Sequence, residues 1–206
     1  PEQGHSVRAP DTLRRWLRAY AAAAGTVVSY AKILNAATPG ETDKPARTTT
    51  TAYRDVLASL WLLDPVPAWS PGDDRLGRLG QTPKHFLADP ALAAALIDVD
   101  ADALLDGGVE AEPVVRAVGG QGTLLGRLFE HLIALSLHSY AQNLGARLYH
   151  LRTRGGDHEV DFILERKRRV VAIEVKLSPI VRDDDVRHLL WLRERIGPRL
   201  ADAAVI

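Results

Sequence analysis

Two apolar runs, His158–Leu164 and Val170–Leu177, flank the charged turn Arg166-Lys167-Arg168-Arg169, and no other feature of the chain constrains its fold as tightly. Successive side chains of a strand point to opposite faces, so a tight hairpin centred between Lys167 and Arg168 has a register that can be worked out. Val160, Phe162 and Leu164 fall opposite Val175, Ile173 and Val171, and one face of the pair is wholly apolar. On the second face Asp161 stands across from Glu174, Glu159 from Lys176, and Ile163 from Ala172. Like charges directly opposed in a ladder are destabilising. Two carboxylates meeting between strongly apolar strands therefore require a protonated carboxyl or a cation between them.

A third acid belongs near this pair. From Gly122 to Leu144 the residues Leu124, Leu125, Leu128, Phe129, Leu132, Ile133 and Leu135 form a wide apolar arc at helical spacing. Glu130 sits at the edge of that arc, closer to an interior than a solvated glutamate normally is, and needs a partner. An arginine would make it an ordinary boundary residue. A cation shared with Asp161 and Glu174 would make it part of a site. Mg²⁺ suits such carboxylates because it is a hard ion that takes few protein ligands and keeps several waters. Lys176, on the face of Glu174, could then orient or deprotonate a water for attack on a phosphodiester. The competing expectation is a solvent-exposed sheet face on which Lys176 neutralises both acids.

The first third of the chain reads as helices. Asp11 can cap a segment in which Leu13, Trp16, Leu17 and Tyr20 recur at helical spacing, Ser29 precedes a short helix from Tyr30 to Ala36, and Thr48 to Leu60 makes a third. The extended, proline-containing run Trp61 to Trp69 follows. That order fits a winged helix-turn-helix, and equally a small helical packing module. Residues 88–112 carry seven acids and no base and should repel nucleic acid. The expected organisation is a tail at 1–9, a winged-helix-like unit at 10–70, a connecting segment at 71–118, and a mixed sheet flanked by helices at 119–206.

Charge and composition narrow the function. Lys plus Arg equals Asp plus Glu at 26 each among 206 residues, so any polyanion site is a local patch. The candidates are Arg152 and Arg154, beside the acidic cluster, and the turn Arg166, Lys167, Arg168 and Arg169, since guanidinium groups bind phosphates bidentately. With no cysteine there is no disulfide, thiolate zinc site or cysteine nucleophile, and a cytoplasmic location is expected. No apolar window approaches the roughly 20 residues of a membrane helix, so no membrane partner is expected. No histidine has metal-ligand spacing to another. Position 1 is not methionine, and the chain reads as a piece of a longer protein of open oligomeric state.

The ordered set Glu130, Val160-Asp161 and Glu174-Val175-Lys176 resembles the PD-(D/E)xK, or restriction-endonuclease-like, nuclease superfamily. More closely, residues from about 10 to 206 resemble the C-terminal part of bacterial and archaeal AAA-type ATPases that carry the domain of unknown function 4143. The resemblance includes Thr82-Pro83-Lys84-His85-Phe86-Leu87-Ala88-Asp89, Gly126 to Glu130, and Arg154 to Phe162. It departs from the pattern at Val160, where the superfamily has proline, and at 84–89, which lacks the usual tyrosine and glycine. The resemblance implies a restriction-endonuclease-like domain that cuts DNA with Mg²⁺ held by Asp161, Glu174 and Glu130 and with Lys176 in the catalytic set, and an N-terminal ATPase domain; the alternative is a non-catalytic DNA- or protein-binding module of the same fold. The chain itself has no phosphate-binding glycine loop ending in Lys-Ser/Thr, so it should not hydrolyse ATP.

Overall fold

The computed structural model describes residues 10–42, 45–71 and 81–206. The expected tail at 1–9 and residues 72–80 of the expected connecting segment lie outside the described residues. Among the described residues eight α-helices and four strands make a mixed α/β fold. They are α1 (Pro10–Ala22), α2 (Tyr30–Ala37), α3 (Arg47–Ser59), α4 (Pro90–Leu96), α5 (Ala101–Leu105), α6 (Pro113–Val118), α7 (Leu124–Leu144), β1 (Arg147–Arg152), β2 (Glu159–Arg166), β3 (Arg169–Glu174), α8 (Asp183–Ile196) and β4 (Leu200–Val205). Among the described residues no helix is long and apolar enough to cross a membrane. The chain divides into two compact units, Pro1–Pro65 with His85–Leu128, and Val66–Lys84 with Phe129–Ile206.

The first unit is helical. Its core gathers Trp16, Tyr20, Ile33, Leu57, Leu63, Leu87, Val115 and Leu124, and the run Ala19 to Ala24 is buried throughout, its alanines letting neighbours approach closely. Ser29 caps α2, accepting a hydrogen bond from the Lys32 N–H at 3.2 Å. Part of the segment at 71–118 supplies core: Ala93, Ile97 and Val109 are buried in this unit. Its acidity has a local cause. Asp89 caps α4 by accepting from the Ala91 N–H, Asp100 caps α5 through the Ala103 N–H, and Glu110 accepts from the Leu124 N–H at the start of α7.

The second unit is an open four-stranded sheet in the order β1-β2-β3-β4, antiparallel except for the β3–β4 pair. Parallel strands need a crossover, and α8 provides it. Three aspartates in its first turn and Arg193 and Arg195 in its last match the helix dipole at both ends. Leu189, Leu192 and Ile196 of α8 pack with Ile163, Val170 and Ala172, so the sheet face that carries Asp161 and Glu174 is covered. The expected register holds for Phe162↔Ile173, Ile163↔Ala172 and Leu164↔Val171 and continues through Glu165↔Val170 to Arg166↔Arg169. Strand β1 is absent from the sequence reading. At its centre the ladder to β2 shifts, and His150 bonds instead to the backbone of Pro67 and Trp69.

Lys167 and Arg168 close the β2–β3 hairpin with φ of 49° and 67°. A two-residue turn with both residues left-handed is the type I′ turn that Asn-Gly favours, and side chains with a Cβ are strained there. Replacing the pair by Lys167→Asn and Arg168→Gly is expected to raise folding stability by about 1–2 kcal/mol. Urea denaturation followed by circular dichroism measures it, and an unchanged or lowered midpoint would contradict the strain.

Candidate functional site

Three elements of the second unit bring acids together at one end of the β2–β3 hairpin. Glu130 comes from α7, Glu159 and Asp161 from β2, and Glu174 from the last position of β3. The ladder stops here because of a side chain. The Val175 N–H donates to Asp161 Oδ2 at 2.9 Å, a bond that the opposite strand would otherwise receive. The ladder between β2 and β3 ends at Phe162↔Ile173, one position short of Asp161 and Glu174, and the two carboxyls lie close enough for Asp161 to raise Glu174.

The cation between the acids is a lysine. Lys84 Nζ donates to Glu130 Oε1 at 2.6 Å and to Asp161 Oδ1 at 3.0 Å, and lies 3.6 Å from Glu159 Oε1. Its side chain is 2% exposed. The reciprocal backbone bonds between Lys84 and Val66, both 2.9 Å, fix the strand-like segment from which it enters. The ammonium also lies 5.9 Å from the centre of the Phe162 ring. Sequence reasoning assigned no role to Lys84, although the stretch that contains it was part of the resemblance.

Each of the other expected residues has a definite place. Lys176, half-buried, pairs with Glu174 Oε1 at 2.9 Å, while Glu174 Oε2 is buried with no hydrogen-bond partner. Arg152 reaches the cluster by pairing with Glu159 at 3.4 Å, and Arg154 is exposed. The turn Arg166 to Arg169 is exposed at the opposite end of the hairpin, five strand positions and so about 16 Å from Asp161. There Arg166, Lys167 and Arg169 line a cavity of about 420 Å³ with Leu144, Leu164 and Val171. The six expected phosphate-binding residues thus form two groups. The exposed-ladder expectation does not hold, since Glu174 is 6% exposed and Ile163 and Ala172 are fully buried.

Burial and pairing push the acids apart in acidity. Burial raises Glu130 to about 8, against the pull of Lys84. Burial and the neighbouring Asp161 raise Glu174 to about 7, against Lys176. Burial also opposes the Asp161 charge, but Lys84, the Val175 N–H and Lys176 outweigh it and hold that carboxyl below the usual range. Lys84 is raised, because three carboxylates outweigh the cost of its burial. Both solutions open to opposed carboxylates are in use, a cation and a carboxyl that stays protonated near neutral pH.

This arrangement does not fit Mg²⁺. Among the described residues no group of three or more His, Cys, Asp or Glu is placed to hold a metal ion. Glu130 and one oxygen of Asp161 are engaged by Lys84, and the other Asp161 oxygen by a backbone N–H.

Two family models match the chain. Residues 125–206 match a domain of unknown function (DUF4143), and residues 2–103 match a second domain of unknown function (DUF8612). The first contains Glu130, Asp161, Glu174 and Lys176. No curated protein matches the chain. No solved structure matches it either.

Proposed function

We propose that the second unit is a DNA-binding module of PD-(D/E)xK nuclease-like architecture that grips phosphates with its basic hairpin turn, its acidic cluster being neutralised from within. The observation that carries this reading is the turn itself. Lys167 and Arg168 occupy left-handed positions where Asn-Gly would be unstrained, and Arg166 and Arg169 flank them, all four exposed. Strain kept at an exposed cluster of four positive charges argues that the charges serve a purpose other than folding. On this reading the helices α1 to α3 form a winged-helix-like unit, and the chain is the C-terminal part of an AAA-type ATPase whose N-terminal domain is its partner. The match at residues 125–206 is consistent with that context.

The test is fluorescence anisotropy on a labelled DNA duplex across a range of salt. The affinity should fall steeply with salt, and neutralising Arg166, Lys167, Arg168 and Arg169 should flatten the slope by about 3 to 4 units of log K per log salt, because fewer counterions are released. The Lys167→Asn, Arg168→Gly protein should be more stable and bind more weakly. Equal binding by wild type and variants at every salt concentration would defeat the proposal.

A second reading, a magnesium-dependent DNA endonuclease, is favoured by the convergence of Glu130, Asp161, Glu174 and Lys176 on one site. It requires Lys84 to leave the acids. Cleavage of supercoiled DNA by the wild-type chain with Mg²⁺, lost in Asp161→Asn, would establish it.

A further inference from the structure

We propose that Lys84 is the resident cation of the acidic cluster, its ammonium standing where a hard divalent ion would sit, so that Lys84 and such an ion exclude one another. The inference rests on the nuclease-like reading of the cluster and concerns what occupies it. An ammonium 2.6 Å and 3.0 Å from carboxylates on two different elements, with a third carboxylate at 3.6 Å, sits as a counter-ion sits. It is delivered by neither α7 nor the hairpin, so the acids and their cation come from separate stretches of chain.

Charge balance explains the exclusion. Glu130, Glu159, Asp161 and Glu174 are met by Lys84, Lys176 and Arg152. Burial keeps the local dielectric low, and a divalent ion placed within a few ångströms of the ammonium would be strongly repelled. Replacing the ammonium by an apolar end of similar length removes that repulsion and leaves carboxylates without their counter-ion. Glu174 Oε2, buried and without a hydrogen-bond partner, adds an oxygen that no protein donor satisfies. Hard carboxylate oxygens select Mg²⁺ or Mn²⁺ over softer metals.

The experiment titrates Mn²⁺ into the full 206-residue chain and follows the free ion by electron paramagnetic resonance. Wild type should show no specific site, whereas Lys84→Met should bind Mn²⁺ at least about tenfold more tightly, and adding Asp161→Asn should abolish the gain. If Lys84→Met folds poorly without metal, its thermal midpoint should rise with Mn²⁺ while that of wild type stays in place. Lys84→Gln, which keeps a donor but no charge, should behave like Lys84→Met. Tight Mn²⁺ binding by wild type, or variants that neither bind Mn²⁺ nor gain stability from it, would overturn the proposal. DNA anisotropy on the same samples separates the two ideas. A Mn²⁺ contrast without DNA binding removes the proposed function alone, and DNA binding without the contrast removes this inference alone.

Discussion

Lys84→Met should lower folding stability in metal-free buffer by about 3–5 kcal/mol at pH 8, the cost of removing one partner from a buried ion pair. The side chain is nearly inaccessible, and its loss leaves Glu130 and Asp161 with no cation within hydrogen-bonding distance among the contacts described. The methionine stem preserves most of the packing, so the loss isolates the charge. Protonation offers the acids a way out. Without Lys84 their pKa values rise further, so the deficit should shrink on going from pH 8 to pH 5. Urea denaturation of both proteins at the two pH values measures the deficit. A loss below about 1 kcal/mol at pH 8 would mean that Lys84 contributes no more than an exposed ion pair.

The second large effect is on how stability varies with pH. Glu174 has a folded pKa of about 7 against an ordinary value of 4.5, and Glu130 one of about 8. A carboxyl raised in this way favours folding fully below its ordinary value and loses that contribution as pH rises through the folded value. Each should therefore draw stability down between about pH 5 and pH 8. For Glu174 the shift is worth up to about 3 kcal/mol, at 1.36 kcal/mol per pKa unit. Asp161, held low, acts with the opposite sign and loses its contribution in acid. So does His85, which burial lowers to about 4. Against this background Glu174→Gln isolates one group, because glutamine cannot ionise. The stability of the variant relative to wild type should climb from pH 5 to about pH 7 and level off above it. A constant difference over that range would show that Glu174 titrates as an ordinary carboxylate.

The two effects have one origin. The cluster packs four acids into a covered sheet end, and the fold tolerates them by pairing some with lysines and keeping another protonated. Both devices respond to conditions, one to substitution of Lys84 and the other to pH. The basic turn, exposed and about 16 Å away along the hairpin, is electrostatically independent of them at physiological salt.

Much of this was legible in local sequence. The β2–β3 register follows from alternation and a short turn, and the pairs from Phe162↔Ile173 to Leu164↔Val171 lie where those rules put them. Helix α7 ends at Leu144, where the apolar spacing from Gly122 onward also ends, because Gly145 takes φ 62° and closes the last turn. That Asp161 and Glu174 would need a cation or a proton was also determined by sequence, since like charges repel wherever they are opposed. Which of these they received was decided by tertiary structure alone. Lys84 lies 46 residues from Glu130 and 77 from Asp161, and no periodicity connects positions so far apart. Its placement depends on the backbone bonds to Val66. Strand β1 likewise owes its existence to pairing with β2 on one side and Pro67–Trp69 on the other. Asp89 and Asp100 read as part of a repelling charge run in one dimension and as helix caps in three, because a cap is identified by the N–H it meets, and only the folded chain supplies that N–H.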